Sequence, residues 1–233
     1  MAIIVGDIHG DMEKAQAFLA YRPDTMHVAL GDYLDSYTVP FEQQIDCLNL
    51  LMDSEAVLLL GNHECHYLRK PLFHFAGYQL NHAAELQDIL EYNLFRFKAA
   101  CSCDSWLMTH AGVHRGYTIR CDDVELIANR LQLKFEKYLQ SRLVNRRASY
   151  RYKSIFEFNF RMFVEGNLLP TNIKQIFGHV EFSRPIVEPN FIALDTTNHT
   201  NSCWIYDTEL DELVQLPLAA KVGRVRFQGG GWE

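Results

Sequence analysis

Short apolar runs that end in glycine recur along the first third of the chain. Residues 2–5 stop at Gly6, residues 26–30 at Gly31 and residues 57–60 at Gly61. Each run has the length and composition of a buried strand. Between them, residues 11–21 carry Met12, Ala15, Phe18 and Leu19 at helical spacing, and residues 41–52 set Ile45, Leu48 and Met52 on one face. A strand–helix–strand–helix–strand order predicts βαβ units and a largely parallel inner sheet.

The middle of the chain reads as helical. Residues 80–98 and 124–143 have helix periodicity, residues 154–166 continue it, and residues 106–109 form a strand between the first two. The last third returns to strands at 174–177, 191–194, 203–206 and 213–216, with polar turn clusters between them. That spacing predicts an antiparallel meander. Residues 226–233 are glycine-rich and read as a loose tail. Neither an internal repeat nor a linker interrupts the pattern, so residues 1–233 are expected to form a single α/β domain.

Composition narrows the class. The chain has 233 residues, 48% hydrophobic and 22% charged, with a net charge of −7. This is ordinary for a globular protein. An acidic balance disfavours stable nucleic-acid binding, which rests on Lys and Arg neutralising phosphates. It does not disfavour a phosphate substrate, because bound cations can reverse the local field. The six cysteines have no metal-knuckle spacing and are expected to be reduced thiols. No apolar stretch reaches the length of a membrane span. The beginning of the chain reads as no signal peptide, and a cytoplasmic location is expected.

The candidate chemistry lies just past the strands. Gly6-Asp7-Ile8-His9-Gly10, Gly31-Asp32-Tyr33-Leu34-Asp35, Gly61-Asn62-His63-Glu64 and Thr109-His110-Ala111-Gly112 follow four of them, and Gly178-His179 follows a fifth. Taken singly, each piece is an ordinary turn or helix cap. Together they deliver Asp, Asn and His to the carboxyl ends of strands, where α/β sheets collect ligands. Two hard dications need oxygen and imidazole ligands with one bridging carboxylate. Asp7 and His9 sit two residues apart and can turn toward one ion. Asp32 can reach both, and Asn62, His110 and His179 can complete the second. The set contains no thiolate, which argues against a purely structural zinc site.

These ordered motifs resemble the calcineurin-like metallophosphoesterases, specifically the branch of phosphoprotein phosphatases and diadenosine tetraphosphate hydrolases. The resemblance runs from Ala2 to about Asp195. It implies two stacked mixed β-sheets flanked by helices, a four-layer sandwich. It also implies a dinuclear centre held by Asp7, His9, Asp32, Asn62, His110 and His179. Manganese is the expected metal, and iron and zinc also fit. His63 would be the general acid and Asp35 would orient it, while a hydroxide shared by the two ions attacks phosphorus. One position departs from the family pattern: Ser36 stands where an arginine usually binds phosphate. A serine offers one neutral hydrogen bond in place of a charged bidentate pair. Arg161 is the candidate to take over that contact, beside Asn62 and Ser36. The helical segment at about 120–168 would be a cap, and its Arg142, Arg146, Arg147 and Arg151 could meet a polyphosphate.

The expected function is hydrolysis of phosphate monoesters, on phosphoprotein or a small phosphate ester. The alternative is hydrolysis of a dinucleoside polyphosphate. A scaffold that has kept the fold and weakened in catalysis is the third reading.

Overall fold

In a computed structural model, the described residues are 1–69, 77–118, 121–140, 156, 169–196 and 202–218. They form two mixed β-sheets with helices packed outside. The first sheet runs β11-β10-β1-β2-β3-β4 and the second β5-β6-β7-β9-β8. The strands of the first are β1 (Ala2–Val5), β2 (Met26–Ala29), β3 (Val57–Leu59), β4 (Phe97–Lys98), β10 (Ser202–Asp207) and β11 (Glu212–Pro217). Those of the second are β5 (Ala100–Cys103), β6 (Trp106–Thr109), β7 (Lys174–Phe177), β8 (Ile186–Glu188) and β9 (Phe191–Ala193). The helices are α1 (Met12–Ala20), α2 (Phe41–Asp53), α3 (Asn62–Cys65), α4 (Ala83–Tyr92) and α5 (Val124–Gln140).

Strand β1 shows why the sheets stack. Its four residues are all buried, and successive side chains point to opposite faces. Ala2 and Ile4 join Trp106, Met108, Ile176 and Ile192 of the second sheet in a core between the sheets. Ile3 and Val5 face the other way, into the cluster that includes Phe18 of α1 and Leu48 of α2. Strands β1, β2 and β3 are paired in parallel, as the period of the first third predicts, and β4 joins them in parallel beside β3. Helix α1 starts at Asp11, whose side chain accepts from the Lys14 amide at 3.2 Å. Helix α2 buries Gln44, Cys47, Leu48 and Leu51, a stripe at helical spacing. Helix α5 packs Ile127, Ala128, Leu131 and Phe135 into the core beside β5 and β6.

Two sequence expectations are corrected. The helix expected over 80–98 is α4 alone, framed by short 3-10 turns, and its last residues become strand β4. Arg96 explains the break: its guanidinium donates to Met52 O at 2.9 Å and Ser54 O at 2.7 Å, at the end of α2. That anchor draws the following residues out alongside β3. The meander expected in the last third is also absent. β7 lies parallel to β6 and β9, while β10 crosses to the first sheet and pairs antiparallel with β1. Only the hairpin β10–β11 matches the expectation. Strands on either side of one core have the same alternation, so periodicity alone does not assign a strand to a sheet. The expected helix over 154–166, the basic cap arginines and the glycine-rich tail lie outside the described residues, Phe156 excepted.

The six cysteines are free thiols, as expected. No helix among the described residues is long and apolar enough to cross a membrane.

One charged contact ties the α1–β2 turn to the far end of β10. Arg22, in a left-handed conformation (φ 47°), donates to Asp207 Oδ2 at 2.6 Å and pairs with Glu209. Asp207 Oδ1 accepts from the amides of Glu209 at 3.0 Å and Leu210 at 3.3 Å. Burial would raise the Asp207 pKa, but Arg22 and these amides outweigh it and hold it below the usual carboxylate value. A lowered folded pKa contributes stability that is complete above the unfolded pKa of about 4 and is lost as pH falls through the folded one. Asp207→Asn is therefore expected to lower the denaturation midpoint at pH 7 and to lose that deficit toward pH 2. A deficit that does not change with pH would show that the charge is not what stabilises this turn.

Candidate metal centre

The carboxyl ends of β1, β2, β3, β6 and β7 meet at one edge of the two sheets, and every motif sits there. Four site residues, His9 (φ 47°), Asp32 (φ 52°), Asp35 (φ 61°) and His179 (φ 66°), hold left-handed backbone conformations. Non-glycine residues rarely adopt this region and need surrounding structure to hold them in it.

Glu64 supplies much of that structure. Its carboxylate is fully buried in α3. Oε2 accepts from the amides of Asp32 at 2.9 Å and Gly61 at 3.0 Å, and Oε1 from those of Tyr33 at 2.8 Å and Leu34 at 3.2 Å. Burial and the nearby Asp32 push its pKa up to about 8. All four neighbours are donors aimed at its two oxygens, which favours the anion over a carboxyl that would need an acceptor. Tyr33 locks the same loop from below, donating to Leu59 O at 2.8 Å.

Asp32 is the centre of the arrangement. Its Oδ1 accepts from the His63 amide at 3.0 Å. Its Oδ2 lies 4.0 Å from His9 Nε2, 3.9 Å from His63 Nε2 and 3.4 Å from His110 Nε2. Two groups of ligand atoms, each within 4.8 Å of one another, share this residue: His9, Asp32 and His63, and Asp32, His110 and His179. Asn62 Oδ1 joins the second, 2.8 Å from His110 Nε2 and 2.8 Å from His179 Nδ1. Asp7 stands beside them with both oxygens against the His179 amide, at 3.0 and 3.2 Å. Gly61 and Gly178 permit these close approaches: a Cβ at either would sit on a carboxylate oxygen, of Asp32 and of Asp7 respectively.

The tautomers indicate what fits between these groups. His9 Nδ1 contacts Leu34 O at 2.6 Å and His110 Nδ1 contacts Leu30 O at 2.9 Å. A carbonyl only accepts, so both rings donate through Nδ1 and turn Nε2 toward the centre. Burial lowers the His110 pKa and pushes that of His179 down to about 3, which keeps both neutral. Lone pairs thus converge on the carboxylate oxygen of Asp32 and on Asn62 Oδ1. Burial, with Asp195 and Asp32, also raises the Asp7 pKa well above its ordinary value. Converging acceptors and crowded carboxylates are relieved by cations. Separations of 3.4–4.0 Å suit two ligands about 2.1 Å from a common ion. The imidazole, carboxylate and amide donors fit a pair of divalent metals with Asp32 common to both.

His63 differs from the other rings. Its Nδ1 donates to Asp35 Oδ2 at 2.8 Å. Burial works to lower its pKa, but Asp32 and Asp35 outweigh that and raise it to about 9. It therefore bears protons on both nitrogens and turns one toward the centre. Asp35, by contrast, is held below its ordinary value against burial by its contacts with His63, His66 and Tyr67.

Most of the residues singled out from the sequence meet here. Ser36 lies at the edge, and its Oγ closes its own turn by accepting from the amides of Thr38 at 3.3 Å and Val39 at 3.1 Å. Arg161 lies outside the described residues. Asp195, buried at the end of β9, acts on Asp7 through its charge. Sequence reading passed over Glu64, Tyr67 and Gln79. Glu64 had a signal, since Gly61-Asn62-His63-Glu64 has the spacing of a capping box, and in the fold the cap and the site frame are one interaction. Tyr67 and Gln79 had none.

The family described as calcineurin-like phosphoesterase matches residues 2–189. Among solved structures, a crystal structure described as "a putative diadenosine tetraphosphatase" shares the fold at a TM-score of 0.63, with 16% identity over 94% of each chain. TT1561 of Thermus thermophilus reaches a TM-score of 0.39 at 11% identity, over 92% of this chain and 96% of that one. A comparison with curated proteins finds no match.

Glu64→Gln is expected to weaken metal binding by about 10–100-fold although Glu64 is not among the candidate ligands. The amide would turn an N–H against amide donors and loosen the loop that carries Asp32. Titration of the metal-free protein with manganese measures this, and unchanged affinity would remove Glu64 from the frame of the site.

Proposed function

The chain belongs to the calcineurin-like phosphoesterase family, and from that premise we propose that it is a cytoplasmic, dinuclear metal-dependent phosphatase acting on phosphate monoesters. The substrate class is a phosphoprotein or a small phosphate ester. The observation that carries this reading is the position of Asp32 Oδ2, 4.0 Å from His9 Nε2, 3.4 Å from His110 Nε2 and 3.9 Å from Nε2 of His63, the ring that Asp35 holds. The ligands are Asp7, His9 and Asp32 on one side and Asp32, Asn62, His110 and His179 on the other, and manganese is the metal we favour. Two such ions supply charge to the phosphoryl oxygens and an activated water at neutral pH.

The protein's own groups do the rest. Asn62 and Asp32 line the floor on which the phosphoryl group rests. His63 gives its Nε2 proton to the leaving oxygen, and Asp35 stabilises the charge and direction of the ring. Cations at the centre would lower the His63 pKa from its metal-free level toward neutrality, which makes the proton easier to give up. With Ser36 Oγ closing its own turn, the charged phosphate contact falls to Arg161.

A second reading, hydrolysis of a dinucleoside polyphosphate, draws on the activity named for the structural neighbour. It also draws on Arg142, Arg146, Arg147 and Arg151, which lie between His110 and His179 in sequence.

Product release is to be followed from p-nitrophenyl phosphate, a phosphopeptide and diadenosine tetraphosphate, with manganese and with chelator. The monoesters are expected to be cleaved with manganese and not with chelator. Much faster cleavage of the dinucleotide would replace the monoester reading by the second one. No cleavage of any of them by protein with bound metal would leave the scaffold. His63→Asn is expected to lower turnover by about 10²–10⁴-fold with metal content intact. Loss of metal in that variant would make His63 a ligand.

A further inference from the structure

Among the described residues, the buried histidines His27 and His66 have no role in the proposed ligand set, and His66 is the one that stands against Asp35. His66 is 1% exposed and follows α3 directly. Its Nε2 lies 2.7 Å from Asp35 Oδ2, the same oxygen that His63 Nδ1 meets at 2.8 Å. The other oxygen of Asp35 is equally engaged: Oδ1 accepts from Tyr67 Oη at 2.6 Å and from Gln79 Nε2 at 3.1 Å. The Gln79 amide donates to Tyr67 Oη at 2.7 Å, which directs the tyrosine proton to Asp35. Packing fixes the His66 ring, which stands edge-on to Tyr67 at 4.3 Å and to Tyr78 at 5.1 Å.

Four contacts fill the acceptor capacity of one carboxylate, and their directions matter. Tyr67 and Gln79 fix Oδ1 only. A carboxylate fixed at one oxygen can still swing the other, and His63 would swing with it. A second contact on Oδ2, from a ring that is itself clamped, removes that freedom. We propose that His66 is a positioning residue: it clamps the Asp35 carboxylate so that His63 is aimed at the scissile oxygen. This rests on the reading of His63 as proton donor.

The test compares wild type, His66→Leu and His66→Gln, each loaded with manganese, on phenyl phosphate and 2,4-dinitrophenyl phosphate. The phenolate of the first needs a proton as it leaves, and that of the second does not. His66→Leu is expected to lower kcat for phenyl phosphate about tenfold more than for the dinitrophenyl ester, with KM little changed. His66→Gln, whose side-chain N–H can reach the same oxygen, is expected to restore the ratio. A second readout needs no turnover. In isotope-labelled protein loaded with diamagnetic zinc in place of manganese, the His63 Nδ1–H resonance should be resolved in wild type and in His66→Gln and broadened by exchange in His66→Leu. Equal losses on both esters, an unchanged resonance in His66→Leu, or release of a bound manganese from that variant would each overturn the role of His66. A wild type that carries metal and turns over neither ester would instead overturn the reading on which the role depends.

Discussion

The site depends on one buried carboxylate that need not touch a metal. Glu64 gathers the amides of Asp32, Tyr33, Leu34 and Gly61 onto two oxygens. A buried carboxylate without partners would cost several kcal/mol. Four amides remove that cost and convert it into geometry: the loop after β2 and the loop after β3 must lie where Glu64 can reach both. The left-handed residues Asp32 and Asp35 bracket the stretch of that loop whose amides turn inward to Glu64. The strain of those conformations is balanced within the same few residues.

The rest of the site is a problem in placing acceptors. Rings that donate to backbone carbonyls (His9 to Leu34, His110 to Leu30) turn Nε2 to the centre, while His63, which donates to a carboxylate, keeps a proton there. The same residue type thus has two electrostatic characters, and the partner on Nδ1 decides which. A carbonyl partner fixes which nitrogen donates, and the Asp35 partner also adds a charge that favours a second proton on the ring. Burial strengthens the contrast, because it holds His110 and His179 neutral while the Asp32 and Asp35 charges hold His63 protonated.

Some of this arrangement was legible in the residues. The parallel β1–β2–β3 core followed from apolar runs alternating with amphipathic helices. The motif residues could be placed at strand ends because Gly6, Gly31 and Gly61 terminate those runs. The helix expected through residue 98 was not legible as a strand, because the contact of Arg96 with the end of α2 that breaks it is long-range. The sheet to which β10 belongs was hidden too, since its alternation of core residues would serve either sheet and only its pairing with β1 decides.

By itself, then, the sequence determined which residue types stand at which strand ends, because strand and turn patterns are local and the glycines mark them. Tertiary structure alone decided how those residues work together. The meeting of two sheet edges makes Asp32 common to two ligand groups, and ring tautomers depend on carbonyls 25 and 80 residues away. Asp35 collects donors from Tyr67 and Gln79, 32 and 44 residues on. Hydrogen bonds act over about 3 Å and carry no trace in the spacing of residues that are brought together only by folding.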